Sequence, residues 1–268
     1  MTDRNPIGLA SGVLPGFDAE VTVEAAARAG FDAVGLWIEP DRWTSERIRN
    51  VRAAIAANGL FAVDAEVLRM RAGPLSDDHR RMVEISAEIG ARNLLVIGSD
   101  PDLAGVGDAY AELCELGESH GIRIALEFML FSSVRTLDDA RAMVAATASP
   151  AAALLIDPLH LDRAGYGAAD VAALPREWLP YAQFCDAALE GPARDDNAAL
   201  LVEALDGREM PGEGVLALQA IVDALPPGIP LSVELRSLAL RERFPDPFER
   251  AHALHQATVA WMDGKVAA

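Results

Sequence analysis

Acidic residues close several of the short apolar runs in this sequence, although Asp and Glu are depleted in β-strands. Glu127 follows RIAL, Asp157 follows ALLI, and Glu234 follows LSV. Asp64 and Glu66 lie at the end of another such run. If these runs are strands whose carboxyl ends meet, the carboxylates repel one another unless a cation neutralises them. The pattern therefore indicates a site that binds a cation, although each carboxylate taken alone also fits a helix cap or an arginine partner.

A repeated junction precedes most of these runs: an amphipathic, helix-like segment ends in glycine, and a short apolar run follows. The glycines lie 29 to 31 residues apart, at Gly30, Gly59, Gly90 and Gly121. This spacing is close to the length of one βα unit, and glycine suits the residue after a helix because that residue commonly adopts a positive φ. The helices expected before these glycines span residues 18–29, 44–57, 76–89 and 105–120.

Further runs predict strands without the glycine signal, at residues 7–10, 152–157, 181–186 and 230–235. Eight strands, most of them followed by a helix, imply parallel pairing through right-handed crossovers. The sequence therefore predicts an α/β protein, a single (β/α)₈ TIM barrel over residues 1–268, with its chemistry at the carboxyl ends of the strands. The helix after strand seven must come from residues 191–225, the least regular region. A doubly wound open sheet is the rival fold, but no G-x-G-x-x-G follows the first strand.

The composition and charge of the chain exclude several classes of function. Of its 268 residues, 51% are hydrophobic and 24% are charged, as is typical of a globular chain. The formal net charge is −18, from 23 basic and 41 acidic residues, so binding to a nucleic-acid backbone is not expected. No apolar run reaches the ~18 residues of a membrane span. The two cysteines predict a reducing compartment and no disulfides. Residues 1–6 lack a secretion-signal pattern, so a cytoplasmic protein is expected.

The motifs around these carboxylates resemble those of the xylose-isomerase-like TIM barrels, grouped as sugar phosphate isomerases/epimerases, over nearly the whole chain. The segments that carry the resemblance are ALEF around Glu127, LLIDPLHLDRAG at 154–165, YAQFCDA at 181–187, PGEG at 211–214 and LSVEL around Glu234. In that family a Glu, an Asp, a His and a Glu on strands five to eight hold one divalent cation. The resemblance implies that the ligands here are Glu127, Asp157, Gln183 and Glu234.

Gln183 stands where the family most often has histidine. As a ligand, its amide oxygen completes an all-oxygen shell, which suits Mg²⁺ or Mn²⁺ more than Zn²⁺. As a structural residue, it is a rim amide bonded to the backbone. The Asp-x-x-His motif of the family matches Asp157 and His160. The resemblance implies that His160 faces the substrate and polarises a carbonyl or hydroxyl, and a half-buried structural histidine is the alternative.

Candidate substrate-binding residues lie near the strand ends and in the PGEG motif, namely Trp37, Glu66, Arg163, Glu213 and Arg236. Either arginine could instead pair with the carboxylates, and Glu213 could be a turn residue.

The sequence around the proposed metal end is apolar. The aromatic and thioether side chains there are Trp37, Phe128, Met129 and Phe131. They fit ordinary packing between barrel and helices. If they line the pocket instead, the substrate is less hydrated than an open sugar, such as a cyclic keto-alcohol.

The resemblance implies proton removal next to a carbonyl to give an enediolate, with Glu127 and Glu234 as the acid–base pair. Return of the proton elsewhere isomerises or epimerises a small sugar-like or cyclic hydroxy-ketone, and this is the first expectation. The second is a dehydratase of a 3-dehydroshikimate- or inosose-like compound, because of Gln183. In addition, Ser133 and Leu189 occupy the positions of two sugar-clamping residues of the ketose 3-epimerases.

A non-catalytic barrel that binds a small ligand is the third reading, because loss of the histidine can mark loss of metal binding. DNA-repair endonucleases of the same family need a histidine-rich, three-metal site. This chain has five histidines, of which one lies at a strand end, so it cannot supply such a site and the endonuclease function is rejected. The expected partner is therefore a small-molecule substrate, with no nucleic acid and no membrane, and a homo-oligomeric state stays open.

Overall fold

Parallel strands form the centre of the computed structural model, which describes residues 4–264. They are β1 (Ile7–Leu9), β2 (Ala33–Trp37), β3 (Phe61–Met70), β4 (Asn93–Gly98), β5 (Arg123–Glu127), β6 (Ala152–Leu155), β7 (Ala182–Phe184) and β8 (Leu231–Val233). The order in the sheet is β6-β5-β4-β3-β2-β1-β8-β7. A parallel bridge between Ile156 and Ala182 joins its two ends. The predicted single (β/α)₈ barrel is confirmed for the described residues, and residues 1–3 and 265–268 of the predicted domain lie outside them.

Helices follow the strands around the barrel. They are α1 (Ala19–Ala29), α2 (Ser45–Ala57), α3 (Asp77–Ile89), α4 (Leu103–His120), α5 (Leu137–Ala146), α6 (Pro158–Ala164), α7 (Ala168–Ala172), α8 (Asn197–Asp206), α9 (Leu218–Ala224), α10 (Leu238–Arg243) and α11 (Pro247–Met262). The predicted helices are confirmed, and α4 begins two residues earlier than expected. Gly30 and Gly90 end their helices with φ of 96° and 81°, a conformation that favours glycine.

The connection between β7 and β8 is the least regular part of the barrel, as the sequence predicts. It contains α8 and α9, joined by an irregular segment at 207–217. Buried Leu200 and Ala204 anchor α8. This segment lies across the carboxyl end of the barrel, so its residues have access to the site described below.

Two apolar clusters support the strands. The larger lies between the sheet and the helices. The smaller is formed by strand residues with many small side chains, among them Ala33, Ala125 and Ala153, together with Tyr181. Among the helices of residues 4–264, none is both long and apolar enough to cross a membrane.

Candidate active site

The structure brings the four residues predicted as metal ligands to the carboxyl ends of β5 to β8. Glu127 is the last residue of β5, Asp157 follows β6 by two residues, Gln183 is the centre of β7, and Glu234 directly follows β8. All four side chains are buried. Three of them, together with His160, line a cavity of about 180 Å³ that we call the carboxylate cavity, and Asp157 is bonded to Arg208 in its wall.

Asp157 is held by two sets of hydrogen bonds. Its Oδ1 accepts from the backbone N–H groups of Leu159 (2.7 Å) and His160 (3.2 Å), so Asp157 caps α6. Its Oδ2 accepts from Arg208 Nη1 at 2.6 Å. Burial by itself raises the pKa of Asp157, but the charge of Arg208 and these hydrogen bonds outweigh it, and the pKa lies below its ordinary value. Asp157 is therefore an ionised, fixed carboxylate.

Arg208 is a site residue that the sequence analysis missed. Its guanidinium is buried and also contacts Cys185 Sγ at 2.9 Å, the Ala204 carbonyl oxygen at 3.2 Å and His160 Nε2 at 3.5 Å. The residue lies in the irregular segment after α8, three residues before PGEG. Its position next to a recognised motif is the only sequence signal that points to it.

Glu127 and His160 face each other across the cavity. His160 Nε2 lies 3.9 Å from Glu127 Oε1, and one ligand atom each of Glu127, Asp157 and His160 fall within 4.8 Å of one another. Burial, together with the charges of Asp157 and Glu234, raises the pKa of Glu127 well above its usual range. Burial lowers the pKa of His160 to about 4, so its imidazole is neutral at physiological pH.

Glu234 is oriented by two side chains. Gln183 Nε2 donates to Glu234 Oε2, and Arg236 Nε donates to Glu234 Oε1 at 3.0 Å. The other end of the Gln183 amide, Oε1, is buried and has no hydrogen-bond partner within residues 4–264. A buried carbonyl oxygen without a donor fits a ligand to a hard cation.

The charges of the site also fit a divalent cation. Four buried carboxylates, those of Glu66, Glu127, Asp157 and Glu234, face the guanidinium groups of Arg208 and Arg236. Burial first, and then the charge of Glu234, raises the pKa of Glu66 to about 7. Such a cluster must bind protons or a cation, because buried like charges destabilise one another.

The other predicted site residues divide into two groups. Trp37, Glu66 and Arg236 line the carboxylate cavity. Arg163 is instead bonded to Glu203 (2.7 Å), to Asp162 and to the Ala188 carbonyl oxygen. Its donors are occupied, so the structure does not bring it to the substrate.

Glu213 lies on an exposed turn and borders a different cavity, next to Ser237 and Arg243. The structure therefore places it away from the carboxylate cavity.

One wall of the carboxylate cavity is apolar. It includes Ile97, Met129, Phe131, and Leu201 and Leu205 of α8, which are 43% and 42% exposed. Phe128, predicted with this group, packs against Tyr166 in the core. Leu189 is 77% exposed, and neither it nor Ser133 is among the described residues that line the cavity.

A family model described as xylose isomerase-like TIM barrel matches residues 23–263. The chain belongs to this family. Among curated proteins none matches this chain significantly.

Solved structures share the fold of this protein. A xylose isomerase-like TIM barrel/4-hydroxyphenylpyruvate dioxygenase fusion protein is 21% identical, with a TM-score of 0.79, and the match covers 95% of this chain but only 42% of the fusion protein. The IOLI protein, solved with a zinc atom, is 15% identical over 95% of this chain and 96% of its own, with a TM-score of 0.78. A D-allulose 3-epimerase from Methylomonas sp. is 17% identical over 95% and 97%, with a TM-score of 0.67.

Proposed function

We propose that this protein is a divalent-metal-dependent isomerase or epimerase that removes a proton next to the carbonyl of a small sugar-like or cyclic hydroxy-ketone. The observation that carries the proposal is one cavity lined by the buried carboxylates of Glu66, Glu127 and Glu234, together with Gln183, whose buried amide oxygen has no donor within residues 4–264. The family contains epimerases with this fold, and a related structure contains zinc. The partner of the site is accordingly a small molecule.

Glu127, Asp157, Gln183 and Glu234 would hold the cation. The second set that the geometry supports is Glu127, Asp157 and His160, whose ligand atoms lie within 4.8 Å of one another. When bound, the cation would neutralise the carboxylates and polarise the substrate carbonyl. Mn²⁺ or Mg²⁺ suits the all-oxygen set, whereas a set with His160 also suits Zn²⁺.

The side chains of the cavity divide the proton transfer between them. Glu127 has the freer carboxylate and accepts the proton, whereas Glu234 is fixed by Gln183 and Arg236 and serves on the opposite side. Neutral His160 donates or accepts a hydrogen bond at the substrate oxygen without carrying a charge. Arg208 positions Asp157 and does not exchange protons.

The proposal is tested by solvent exchange. EDTA-treated protein is reconstituted with Mn²⁺, Mg²⁺ or Zn²⁺ and incubated in deuterated water with ketoses, inososes and 3-dehydroshikimate-like ketones. We expect one ketone to acquire deuterium with unchanged composition only when metal is present. Exposed Glu115 provides the control Glu115→Gln. A metal-loaded protein that exchanges no proton of any ketone would contradict the proposal and favour a ligand-binding role.

Dehydration of a cyclic β-hydroxy ketone is the second candidate. It is supported by Gln183 at the usual histidine position, by the apolar wall of the cavity, and by Leu189, whose exposed position gives no sugar clamp. In the same panel a dehydratase gives a product lighter by one water, with new ultraviolet absorbance from an enone.

A further inference from the structure

A second cavity, of about 330 Å³, opens beside the carboxylate cavity, between residues 11–22 and 37–47. We call it the side cavity. Trp37 and Arg236 line both cavities. A group bound in one cavity is therefore adjacent to the other cavity across these two residues.

The side cavity is lined by several arginines, although the protein as a whole is acidic. Among the described residues that line it, three carry guanidinium groups (Arg42, Arg47 and Arg236) and two carry carboxylates (Asp18 and Glu39), whereas the whole chain has a net charge of −18. Arg42 pairs with Glu39 at 2.9 Å, and Arg47 pairs with Glu20 at 2.8 Å and with Asp18 at 3.2 Å, so carboxylates neutralise both arginines. Arg236 is thus the member of this trio whose nearest carboxylate, Glu234, belongs to the other cavity.

Arg236 keeps donor groups that the protein does not use. Its Nε donates to Glu234, but neither Nη group has an acceptor within hydrogen-bond distance in the part of the chain that the structure describes. The side chain is only 20% exposed. By contrast, the more deeply buried Arg208 and Arg163 donate from their Nη groups to Asp157 and Glu203. A partly buried guanidinium with two unused Nη groups matches the geometry of a carboxylate or phosphate.

The surroundings of Arg236 hold its guanidinium group in place. Its guanidinium carbon lies 5.7 Å from the centre of the Trp37 ring. Gly12 approaches so closely that a Cβ there would lie 2.5 Å from Arg236 Nε and 2.6 Å from Glu234 Oε1. The absence of a side chain at residue 12 therefore allows Arg236 to occupy its position between the cavities.

We propose that the side cavity is an anion subsite, in which the Nη groups of Arg236 bind a carboxylate or phosphate group carried by the substrate. The placement of that anion on the substrate rests on the proposed function, because the ketone must lie in the carboxylate cavity. The binding of the anion itself needs neither metal nor turnover. The substrate class is thus an anionic hydroxy-ketone.

Anion binding is measured on EDTA-treated protein, by calorimetric titration with inorganic phosphate and, separately, with malonate. We expect saturable binding of about one anion per chain. Arg236→Gln weakens it by at least about tenfold, because charge-assisted hydrogen bonds to the anion are lost. Preference for phosphate or for malonate identifies which of the two groups the substrate carries.

Two further variants provide a second disruption of the subsite and a matched control. Gly12→Ala displaces Arg236 without a change of charge and should weaken binding several-fold, so it serves if Arg236→Gln does not fold. Arg49→Gln removes the same charge from an exposed residue of α2 and should bind as the wild type does. Absence of saturable binding in the wild type, or wild-type affinity in both Arg236→Gln and Gly12→Ala, overturns the subsite.

The anion-binding test and the deuterium-exchange test of the proposed function can fail independently of each other. Anion binding that depends on Arg236 supports the subsite even if no ketone exchanges deuterium. Deuterium exchange on a neutral ketone, without any binding of phosphate or malonate, supports the proposed function and overturns the subsite.

Discussion

The two halves of the candidate site differ in how completely the protein satisfies its own polar groups. In the half formed by β5 and β6, Asp157 accepts two backbone N–H groups and the guanidinium of Arg208. In the half formed by β7 and β8, the Oε1 atom of Gln183 and the Nη groups of Arg236 have no partner among residues 4–264. The difference teaches that Asp157 is held as a fixed support in the first half, whereas Gln183 and Arg236 in the second half keep groups available to something from outside.

The largest expected effect concerns Glu127, which lies in the same half as Asp157 but has the freer carboxylate. Glu127→Gln retains an oxygen but removes the base, so turnover should fall by roughly 10²–10⁴-fold. Folding should be unchanged or slightly improved, because the raised pKa of Glu127 shows that its ionised form is unfavourable in the buried site. Steady-state kinetics and urea unfolding measure both quantities, with Glu115→Gln as the surface control. Near wild-type turnover would reduce Glu127 to a structural residue.

Removal of Arg208 should destabilise the half of the site that holds Asp157. Arg208→Met leaves the Asp157 carboxylate buried without its cation, which should lower the free energy of unfolding by ~3–5 kcal/mol. Urea denaturation at pH 7 measures the loss, and Arg49→Met is the matched exposed control. If the two variants unfold alike, the pair of Arg208 and Asp157 does not stabilise the site.

Glu234→Gln should lower the metal content by removing a carboxylate from the half of the site formed by β7 and β8. Dialysis of the wild type against Mn²⁺ followed by elemental analysis should give about one ion per chain, and the variant should lose most of it because a charged oxygen ligand is replaced by a neutral one. Glu242→Gln, on α10, is the control. Full metal content in Glu234→Gln would exclude this residue as a ligand.

The smallest effect is a pH dependence of the metal-free protein. The pKa of Glu66 is raised to about 7 in the folded state from about 4.5 in the unfolded state. Between these values the folded state binds more protons than the unfolded state, so stability should fall as pH rises from about 4.5 to 7, by up to ~1.4 kcal/mol per pH unit.

The melting temperature of EDTA-treated protein across this pH range tests that sign. Glu66→Gln should reduce the slope without abolishing it, because burial also raises the pKa of Glu127, which contributes with the same sign. Glu115→Gln should leave the slope intact. The low pKa of Asp157 acts with the opposite sign but at more acidic pH. A slope that is unchanged in Glu66→Gln would assign the protons to other carboxyl groups alone.

Much of this arrangement is predictable from the sequence because the chemistry sits where strands end. The position of Glu127 and Glu234 follows from the apolar runs before them, and glycines such as Gly30 and Gly90 mark where helices stop. Arg208 was not predictable, since it lies in an irregular segment where no periodicity fixes the direction of a side chain.

The same reason explains the two candidates that the structure does not bring to the cavity. Arg163 follows the predicted motif closely, but its partner Glu203 lies 40 residues away in α8, a contact that local sequence does not reveal. Glu213 belongs to a turn whose direction depends on the bonds from Gly212 and Leu216 to Asp186. Long-range partners, rather than local preferences, decide where both side chains lie.

Helix α8 carries two pairs of residues with different surroundings, one pair in the core and one pair at the mouth of the carboxylate cavity. Leu200 and Ala204 fasten it to the barrel, whereas Leu201 and Leu205 face the cavity and solvent together. Replacement of the two exposed leucines changes the shape of the cavity mouth with little effect on the buried core, since exposed side chains contribute little to stability. Under the proposed function, substitution of these two leucines should therefore change substrate preference while the carboxylates stay in place.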